Sequence, residues 1–252
     1  MSKKLLATLN NNLISYKNLL NMKKKISVNK WSFDNMPESY DSHLKRSIPL
    51  YQESQFFISK ISSYFIKDQN INYEIGCANG TIIGSLAKEY KNFKKTKFVG
   101  IDLSKKLIIE AKKRYKNINN LNFQSSNASQ YNFKKCNLAI IHYVLQFMTD
   151  EEKKVLIKKI YKQLIKSGAM IVFEKTLMED SYSQDIFSGI YNDFKFDNEY
   201  SPEEVIKKSI SLRSVMRSST SKNNIELFKA CGFKSIYNFF KWGPFEGYLC
   251  VK

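Results

Sequence analysis

The sequence lacks most features that mark secreted, zinc-binding or membrane-spanning proteins. It has only four cysteines, Cys77, Cys136, Cys231 and Cys250, and no two of them form a Cys-x-x-Cys pair. This spacing disfavours a disulfide framework or a metal site and fits buried thiols in a reducing cytosol. No apolar run reaches the roughly 18 residues that a transmembrane helix needs. The first ten residues have neither a long apolar segment nor a small-residue cleavage site. We therefore expect a cytoplasmic protein with no secretory signal, no metal and no membrane span.

Positive charge and aromatic residues, by contrast, are abundant. The 252 residues carry a formal net charge of +18 and include 18 Phe and 15 Tyr. The length suits one α/β domain with additions, and the aromatic content argues against disorder. A basic surface attracts phosphate, so the charge is compatible with nucleic-acid binding. The lysines are scattered along the whole chain among many Asn and Ile residues, however, a mixture that AT-rich codon usage also produces. A nucleic-acid partner therefore stays open and is not favoured.

The first 30 residues form a segment of their own. Large apolar side chains recur there at near-helical spacing, at Leu5, Leu9, Leu13, Tyr16 and Leu20. This periodicity predicts a basic amphipathic helix within an extension of residues 1–30. Such a helix would cover part of a core or a dimer surface, and a membrane-surface anchor is the alternative. The remaining residues, 31–252, are predicted to form one domain.

From residue 72 onwards, short predicted strands alternate with helices. The predicted strands cover residues 72–75, 97–101, 121–124, 137–142 and 169–174, and helices are predicted to begin near Thr81, Ser104 and Asp150. The third of these helices is expected to end before Gly168, which would cap it. Alternation of this kind calls for a parallel sheet covered by helices on both faces.

After Lys175 the alternation lapses. Helices are predicted over about 180–195 and 201–218, inside an insert of about 176–221. A last helix is predicted over 222–230, and Gly232 would cap it. Strands over 233–241 and 246–251 would close the sheet as an antiparallel pair. The predicted fold class is therefore α/β, with a mostly parallel seven-stranded sheet, a C-terminal antiparallel hairpin and a helical insert that acts as a lid.

The turn after the first strand carries the clearest chemical signal. It reads Glu74-Ile-Gly76-Cys-Ala-Asn-Gly80. Ligands of open α/β sheets bind outside the carboxyl ends of the strands, and glycines let the backbone approach a ligand without a Cβ atom in the way. The pattern is not Gly-x-Gly-x-x-Gly, which disfavours a dinucleotide pyrophosphate. Glycines four residues apart after an acidic residue instead match the loop that holds the amino-acid end of S-adenosylmethionine (SAM).

Asp102 follows the second predicted strand and would therefore lie beside this turn. A carboxylate at this place can accept hydrogen bonds from both ribose hydroxyls, and charge-assisted bonds are about twice as strong as neutral ones. The alternative is that Asp102 only caps the helix that begins near Ser104. The glycine turn at the correct distance favours ribose binding.

Two further strand ends carry polar residues. Asn127 and Ala128 follow the third strand, where a side-chain amide or a backbone group would meet an adenine edge, and an ordinary turn asparagine is the alternative. His142 and Tyr143 close the fourth strand, which faces the transferred group in this kind of fold. A histidine there could take a proton from a nucleophile, although histidine is often simply a hydrogen-bonded core or loop residue.

Several stretches taken together resemble the bacterial carboxy-S-adenosylmethionine (carboxy-SAM) synthases, which have the Rossmann-like class I methyltransferase fold. The stretches are Trp31-Ser-Phe-Asp34, Arg46-Ser-Ile-Pro-Leu-Tyr51, Tyr73-Glu-Ile-Gly-Cys77, Leu145-Gln-Phe147, Lys159-Ile-Tyr161, Asp193-Phe-Lys195 and Tyr200-Ser201. The resemblance runs in register from about Trp31 to the C-terminus. It implies a homodimeric enzyme that converts SAM and prephenate into carboxy-SAM for the modification of tRNA wobble uridine.

Carried over by position, the resemblance implies a set of contacts. Together with Gly80 of the turn, the residues around SAM, carboxy-SAM or S-adenosylhomocysteine would be Tyr51, Gly76, Cys77, Ala78, Asp102, Leu103, Asn127, Ala128 and His142. Trp31 and Phe33 would close over the substrate and exclude water. His142, Tyr143 and Tyr191, the last of these on the insert, are the candidate catalytic residues.

The sequence departs from the family pattern at three positions. Asn127 and His142 stand where the family has Asp and Asn, and the family's carboxylate-binding arginine falls on Ser209. Serine cannot replace a guanidinium group, which binds a carboxylate bidentately. Arg213, one helical turn further on the same face, is the candidate substitute. The departure favours a SAM-dependent methyltransferase with a small-molecule acceptor. Carboxy-SAM synthesis, RNA methylation and an inactive SAM-binding partner protein are the alternatives.

Overall fold

The computed structural model describes residues 40–213 and 215–252. The predicted N-terminal helix, Trp31 and Phe33 therefore lie outside the described residues. Two helices come first, α1 (Tyr40–Ser47) and α2 (Tyr51–Ser62). Over the two described ranges, no helix combines the length and the apolar character that crossing a bilayer would require.

A single seven-stranded sheet follows, in the order β3-β2-β1-β4-β5-β7-β6. Its strands are β1 (Ile71–Ile75), β2 (Lys97–Asp102), β3 (Leu121–Ser125), β4 (Cys136–His142), β5 (Leu164–Lys175), β6 (Ser235–Trp242) and β7 (Phe245–Val251). The first five strands pair in parallel, and β7 pairs antiparallel with both β5 and β6. The predicted α/β class, the seven strands and the C-terminal antiparallel hairpin are confirmed.

Helices connect the strands and carry the expected end signals. They are α3 (Thr81–Glu89), α4 (Lys105–Arg114), α5 (Asp150–Gln163), α6 (Ser181–Asp197), α7 (Pro202–Leu212) and α8 (Ser221–Ala230), with a 3₁₀ turn at Leu145–Phe147. Thr149 and Glu152 form a capping box at the start of α5. After α8, Gly232 adopts a φ of +119°, a left-handed conformation that suits a residue just past a helix end. The prediction for Gly232 is confirmed.

One predicted helix cap and one predicted helix end are wrong. Helix α5 ends at Gln163, and Gly168 lies inside β5 instead of capping the helix. A Cβ atom on Gly168 would come within 2.9 Å of the carbonyl oxygen of Asn137. The glycine is thus explained by close packing of β5 on β4, where the strand register also shifts. The second error concerns α7, which ends at Leu212 instead of residue 218.

The described residues divide into two compact units. Residues 201–215, which include α7, belong to the smaller unit, and residues 40–200 and 216–252, which include the whole sheet, belong to the larger. In the larger unit the apolar side chains of β4 alternate between two buried clusters, with Leu138 and Ile140 in one and Ala139 and Ile141 in the other. Successive strand residues point to opposite faces, so both faces of the sheet are covered, as expected.

Candidate functional site

The register of the parallel strands places the predicted site residues along one edge of the sheet. Strand β1 pairs with β2 on one side and with β4 on the other, and β2 also pairs with β3. The carboxyl ends of these four strands therefore lie side by side. The residues that end or follow them are Gly76, Asp102, Asn127 and His142. The structure brings these residues together at one edge, while their contacts with a ligand stay predictions.

The turn after β1 has the backbone geometry that its glycines allow. Gly76 and Gly80 have φ values of +69° and +78°, and the Ala78 between them also adopts a positive φ of +47°. A Cβ atom on Gly76 would fall 2.2 Å from Cγ2 of Val144. Only glycine fits such a position without displacing its neighbours. The backbone nitrogens of Gly76 and Cys77 donate to the carbonyl oxygen of Ile101, at 2.7 and 3.1 Å, which ties the turn to β2.

Asp102, the last residue of β2, holds this turn in place. One oxygen of its carboxylate accepts a hydrogen bond from the backbone nitrogen of Ala78 at 2.9 Å, and the other accepts one from the nitrogen of Ser104 at 2.8 Å. Helix α4 is capped instead by Ser104, whose hydroxyl oxygen accepts from the nitrogen of Leu107 at 3.1 Å. The sequence alternative that Asp102 only caps this helix is therefore not what the structure shows. Asp102 therefore ties the turn to the start of α4, and its role as acceptor of the ribose hydroxyls stays a prediction.

Glu74, in β1, lies buried beneath the turn. One oxygen of its carboxyl group accepts a hydrogen bond from the backbone nitrogen of Ile83 at 2.9 Å, which links β1 to α3. Burial, and to a lesser extent the nearby charge of Asp102, raises the pKa of Glu74 to about 8. Glu74 is therefore largely neutral at pH 7, and Asp102 supplies the negative charge beside the turn.

The residues that follow β2 and β3 include further predicted cofactor contacts. Leu103, directly after Asp102, is 71% exposed although it is apolar. Asn127 accepts hydrogen bonds at its side-chain oxygen from both the backbone nitrogen and the hydroxyl of Ser129, at 2.9 and 2.8 Å. These bonds correspond to the ordinary turn asparagine that the sequence left open. Asn127 and Ala128 stay the predicted contacts of an adenine edge, and Leu103 stays a predicted cofactor contact.

His142, at the end of β4, is enclosed by aromatic rings. Its ring centroid lies 5.4 Å from that of Tyr51 and 5.3 Å from that of Phe173. The Nε2 atom lies 2.9 Å from the hydroxyl oxygen of Ser54. Burial lowers the pKa of His142 to about 3, so the imidazole is neutral at pH 7 and is a weak base. The arrangement favours His142 as a neutral hydrogen-bonding group, and its predicted role as a proton acceptor gains no support from this pKa.

The low pKa of His142 predicts an acid-sensitive contribution to stability. The unfolded chain protonates this histidine at about pH 6.5, and the folded chain only at about pH 3. Neutral His142 therefore costs the folded chain no stability above pH 6.5. As the pH falls from about 6.5 to about 3, the unfolded chain takes up a proton that the folded chain does not, and the free energy of unfolding decreases. At pH 5, wild type should lose about 1 to 2 kcal/mol more unfolding free energy than His142→Asn, relative to pH 7.5.

Urea unfolding of both proteins at pH 7.5 and pH 5 measures this difference. Glu74 and Glu174, whose pKa values are raised and act in the opposite direction, are present in both proteins and cancel in the comparison. An equal loss of stability in wild type and His142→Asn would show that His142 is not held neutral by the fold.

The two tyrosines predicted as catalytic, Tyr143 and Tyr191, pack against the same phenylalanine but differ in the hydrogen bonds of their hydroxyls. Tyr143 is buried with a φ of +59°, and within the described ranges its hydroxyl has no hydrogen-bond partner. Tyr191, on α6, donates from its hydroxyl to the carbonyl oxygen of Ser47 at 2.8 Å. Both rings pack against Phe245, with centroids 5.9 and 5.1 Å away. Tyr191 is thus held by its hydroxyl, whereas the hydroxyl of Tyr143 is buried without a partner among the described residues.

Arg213, predicted to bind substrate, belongs to the smaller unit. It is the C-cap residue of α7, directly after the last helical residue, Leu212. Ser209, four residues earlier, lies within α7 and is exposed. The role of Arg213 therefore stays a prediction.

Sequence reasoning missed two groups of functional interest. Glu174 is buried near the end of β5, accepts a hydrogen bond from the backbone nitrogen of Leu145 at 2.8 Å, and has a pKa raised to about 8 by burial. The sequence offers one indication of this group, because Glu174 is an acidic residue directly after the apolar run of β5. Lys175 and Lys195 both lie over the ring of Tyr191, and no pattern in the sequence pairs them. Among residues 40–213 and 215–252, no group of three His, Cys, Asp or Glu side chains could hold a metal ion.

The sequence is similar to those of known enzymes. A family profile described as a methyltransferase domain matches residues 73–168. A carboxy-S-adenosyl-L-methionine synthase of Staphylococcus epidermidis is 30% identical over 224 residues, which cover 88% of this chain and 97% of that protein. A protein of the same name from Nautilia profundicola is 31% identical over 214 residues, covering 84% of this chain and 90% of the relative.

Solved structures share the fold at much lower identity. A putative O-methyltransferase from Nostoc punctiforme superposes with a TM-score of 0.56 at 13% identity, covering 84% of this chain and 60% of the other. Human N-acetylserotonin methyltransferase in complex with SAM gives a TM-score of 0.50 at 15% identity, covering 94% of this chain and 66% of the other. These similarities support the Rossmann-like methyltransferase fold and no finer property.

Proposed function

The chain belongs to the carboxy-S-adenosyl-L-methionine synthase family of the SAM-dependent methyltransferase fold, and from this premise we propose that it converts SAM and a small carboxylate substrate into carboxy-SAM. That it is a SAM-dependent transferase follows from its family and its methyltransferase domain. The choice of reaction and of second substrate is the proposal. The synthase reaction is supported by one observation in the larger unit. Stretches of the sequence that resemble this family, and not methyltransferases in general, contact one another in the structure.

These stretches meet around α1 and the end of α6. The guanidinium group of Arg46 donates to the carbonyl oxygens of Asn198 and Glu199, both at 3.0 Å, and lies 4.4 Å from the ring centroid of Tyr200. The hydroxyl of Tyr200 lies 2.9 Å from that of Ser47. Segments far apart in the sequence therefore build one local structure. A methyltransferase that used SAM only as a methyl donor would not need this structure in common with the synthases.

The residues at the strand ends fit SAM. Two glycines with positive φ bring the backbone of the turn close to a ligand, and exposed apolar Leu103 next to Asp102 suits the adenine ring beside the ribose. In the proposed arrangement the turn from Gly76 to Gly80 holds the amino-acid end, Asp102 accepts the ribose hydroxyls, and Leu103, Asn127 and Ala128 face the adenine. In the synthase reaction the S-methyl carbon of SAM, made acidic by the adjacent sulfonium, would lose a proton to the second substrate and gain the carboxyl group that this substrate gives up, whereas in methyl transfer the same carbon would act as an electrophile.

The chain's own contribution is alignment and exclusion of water. Tyr51, His142 and Phe173 form an aromatic wall beside the turn, and a wall of this kind keeps water away from a charged sulfonium. Holding two reactants next to each other in a fixed orientation can supply much of a rate enhancement. The neutral His142 and the hydroxyl of Tyr143 would orient the second substrate.

Methyl transfer to a small-molecule acceptor is the second candidate, because Ser209 occupies the position of the family's carboxylate-binding arginine. An exposed serine carries no charge to offset a carboxylate. If no other cation takes over this task, the chain would use SAM as a methyl donor.

Mass spectrometry after incubation of the purified chain with SAM and prephenate separates the two candidates. We expect a new sulfonium nucleoside heavier than SAM by a carboxylate group, formed by wild type and at most traces by Asp102→Ala. S-adenosylhomocysteine formed with an added acceptor, with no heavier sulfonium in the presence of prephenate, would refute the synthase reaction and support methyl transfer.

We also propose that the chain forms a homodimer and acts in the cytoplasm. The family resemblance supports the dimer, and light scattering should give twice the mass of one chain, whereas the mass of one chain would contradict it. Four free, buried cysteines support a reducing compartment.

We further propose that the chain consists of an extension (1–30) and a domain (31–252). The insert of this domain, about 176–221, would close as a lid. Protection of the insert from protease by SAM would support it, and equal cleavage with and without SAM would refute it.

A further inference from the structure

Two lysine side chains converge on one tyrosine ring beside the strand ends. The Nζ atom of Lys175, the last residue of β5, lies 4.2 Å from the ring centroid of Tyr191, and the Nζ atom of Lys195 on α6 lies 3.9 Å from the same centroid. The two ammonium groups are therefore separated by at most about twice these distances. Each is attracted to the negative face of the ring, but the two positive charges repel each other.

Neither ammonium group has an acidic partner in the part of the chain that the structure describes. The ion pairs found there join Arg114 to Asp41, Lys153 to Asp150 and Lys241 to Glu246. Lys195 has one long polar contact, 3.4 Å from the side-chain oxygen of Asn192. Partial burial of two like charges without a counter-charge costs free energy. An anion bound by one or both ammonium groups would offset that cost.

The pKa values of the two lysines agree with this shortage of negative charge. Burial lowers the pKa of both Lys175 and Lys195 to about 8, and the charge of Lys195 adds to the effect on Lys175. Both groups still carry most of their positive charge at pH 7. They are therefore able to bind an anion under ordinary conditions.

The lysine pair lies next to the strand end that faces the transferred group. Lys175 also lies 5.7 Å from the ring centroid of Phe245, against which both Tyr191 and Tyr143 pack. Tyr143 directly follows His142, and its buried hydroxyl has no hydrogen-bond partner among the described residues. Contacts through the ring of Phe245 therefore connect the lysine pair to the end of β4.

We propose that Lys175, Lys195 and Tyr191 form the binding site for a carboxylate group of the second substrate. Tyr191 positions the two lysines, because its own hydroxyl is fixed on the carbonyl oxygen of Ser47. Ammonium groups bind carboxylates through strong charge-assisted hydrogen bonds. The site supplies the positive charge that Ser209 does not, and the identity of the bound group as a substrate carboxylate rests on the synthase reaction proposed above.

Isothermal titration of the full chain saturated with S-adenosylhomocysteine tests the site with two probes, malonate and prephenate. Methionine keeps an unbranched apolar chain and removes the charge. Lys175→Met and Lys195→Met should each weaken the binding of both probes by about tenfold to a hundredfold, because a charge-assisted bond is lost. The affinity for S-adenosylhomocysteine should not change.

Lys88→Met is the matched control. The Nζ atom of Lys88 lies 5.1 Å from the ring centroid of Tyr115, so the variant removes a lysine over a tyrosine ring at another place and should bind both probes like wild type. Stability in urea gives an independent readout. Lys175→Met and Lys195→Met should be at least as stable as wild type, because each removes an unpaired charge and a repulsion.

Equal binding of the probes by wild type and both methionine variants would overturn the site, and so would a wild type that binds neither probe. Clear destabilisation of both variants would overturn the premise that the charges are uncompensated. The synthase reaction is assayed separately by mass spectrometry. Carboxylate binding that depends on the lysines without formation of carboxy-SAM would refute the reaction and leave the site standing.

Discussion

Replacing Gly76 by alanine should abolish detectable SAM binding and destabilise the chain by about 2 to 4 kcal/mol. The new Cβ atom would fall 2.2 Å from Cγ2 of Val144, far inside van der Waals contact. The backbone at this position also has a φ of +69°, which residues with a side chain rarely adopt. Either the turn or the segment after β4 must move, and both belong to the proposed SAM site. The loss of affinity should be at least about a hundredfold, which corresponds to about 2.7 kcal/mol.

Gly189→Ala provides the control for this prediction. Gly189 lies in the middle of α6, and a Cβ atom built on it meets nothing within 4 Å. Alanine in a helix is more favourable than glycine by about 0.5 to 1 kcal/mol, so this variant should be equally or more stable and should bind SAM normally. SAM affinity by isothermal titration and unfolding in urea measure both variants. Normal SAM binding by Gly76→Ala would contradict the assignment of the turn.

Replacing Asp102 by alanine should weaken SAM binding by about a hundredfold or more. The change removes the proposed acceptor of the ribose hydroxyls, and charge-assisted bonds of this kind contribute about 1.5 to 3 kcal/mol each. It also leaves the backbone nitrogens of Ala78 and Ser104 without the carboxylate that they now contact. The turn between the glycines loses a support as well as a ligand contact. Asp102→Asn, which keeps one acceptor oxygen, should show a smaller loss of about tenfold.

Asp68→Ala is the matched control for Asp102→Ala. Asp68 also accepts a hydrogen bond from a backbone nitrogen, that of Gln69 at 3.0 Å. It precedes β1 in the sequence and so lies at the opposite edge of the sheet from the predicted site. Its removal should leave the titration with SAM unchanged. An Asp102→Ala protein that binds SAM as tightly as Asp68→Ala would refute the ribose assignment.

The predictable part of the fold is the part in which local pattern and packing agree. Strands β2 and β4 are short, mostly apolar runs that end at the polar residues Asp102 and His142, and parallel pairing of β1 with β2 then places the turn at Gly76 beside Asp102. Gly168 departs from its predicted role because a glycine after a helical pattern is usually a cap, whereas here close packing of β5 on β4 requires it. The helical pattern gave no sign of this tertiary contact.

The candidate site likewise has a part that the sequence predicts and a part that depends on tertiary packing. The glycine turn and Asp102 are defined by a few neighbouring residues and by the general rule for strand ends. Lys175 and Lys195 belong to different elements, β5 and α6, and meet only because α6 packs Tyr191 onto Phe245. The low pKa of His142 likewise depends on Tyr51 and Phe173, which come from distant parts of the sequence. Such properties follow from burial, and residue type alone does not reveal them.

A crystal structure of the chain with bound SAM would test the central claim most directly. The methionine end should lie against the turn from Gly76 to Gly80, and the ribose hydroxyls should lie within about 3 Å of the Asp102 carboxylate oxygens. A nucleoside bound elsewhere on the chain, or a ribose that makes no contact with Asp102, would contradict it.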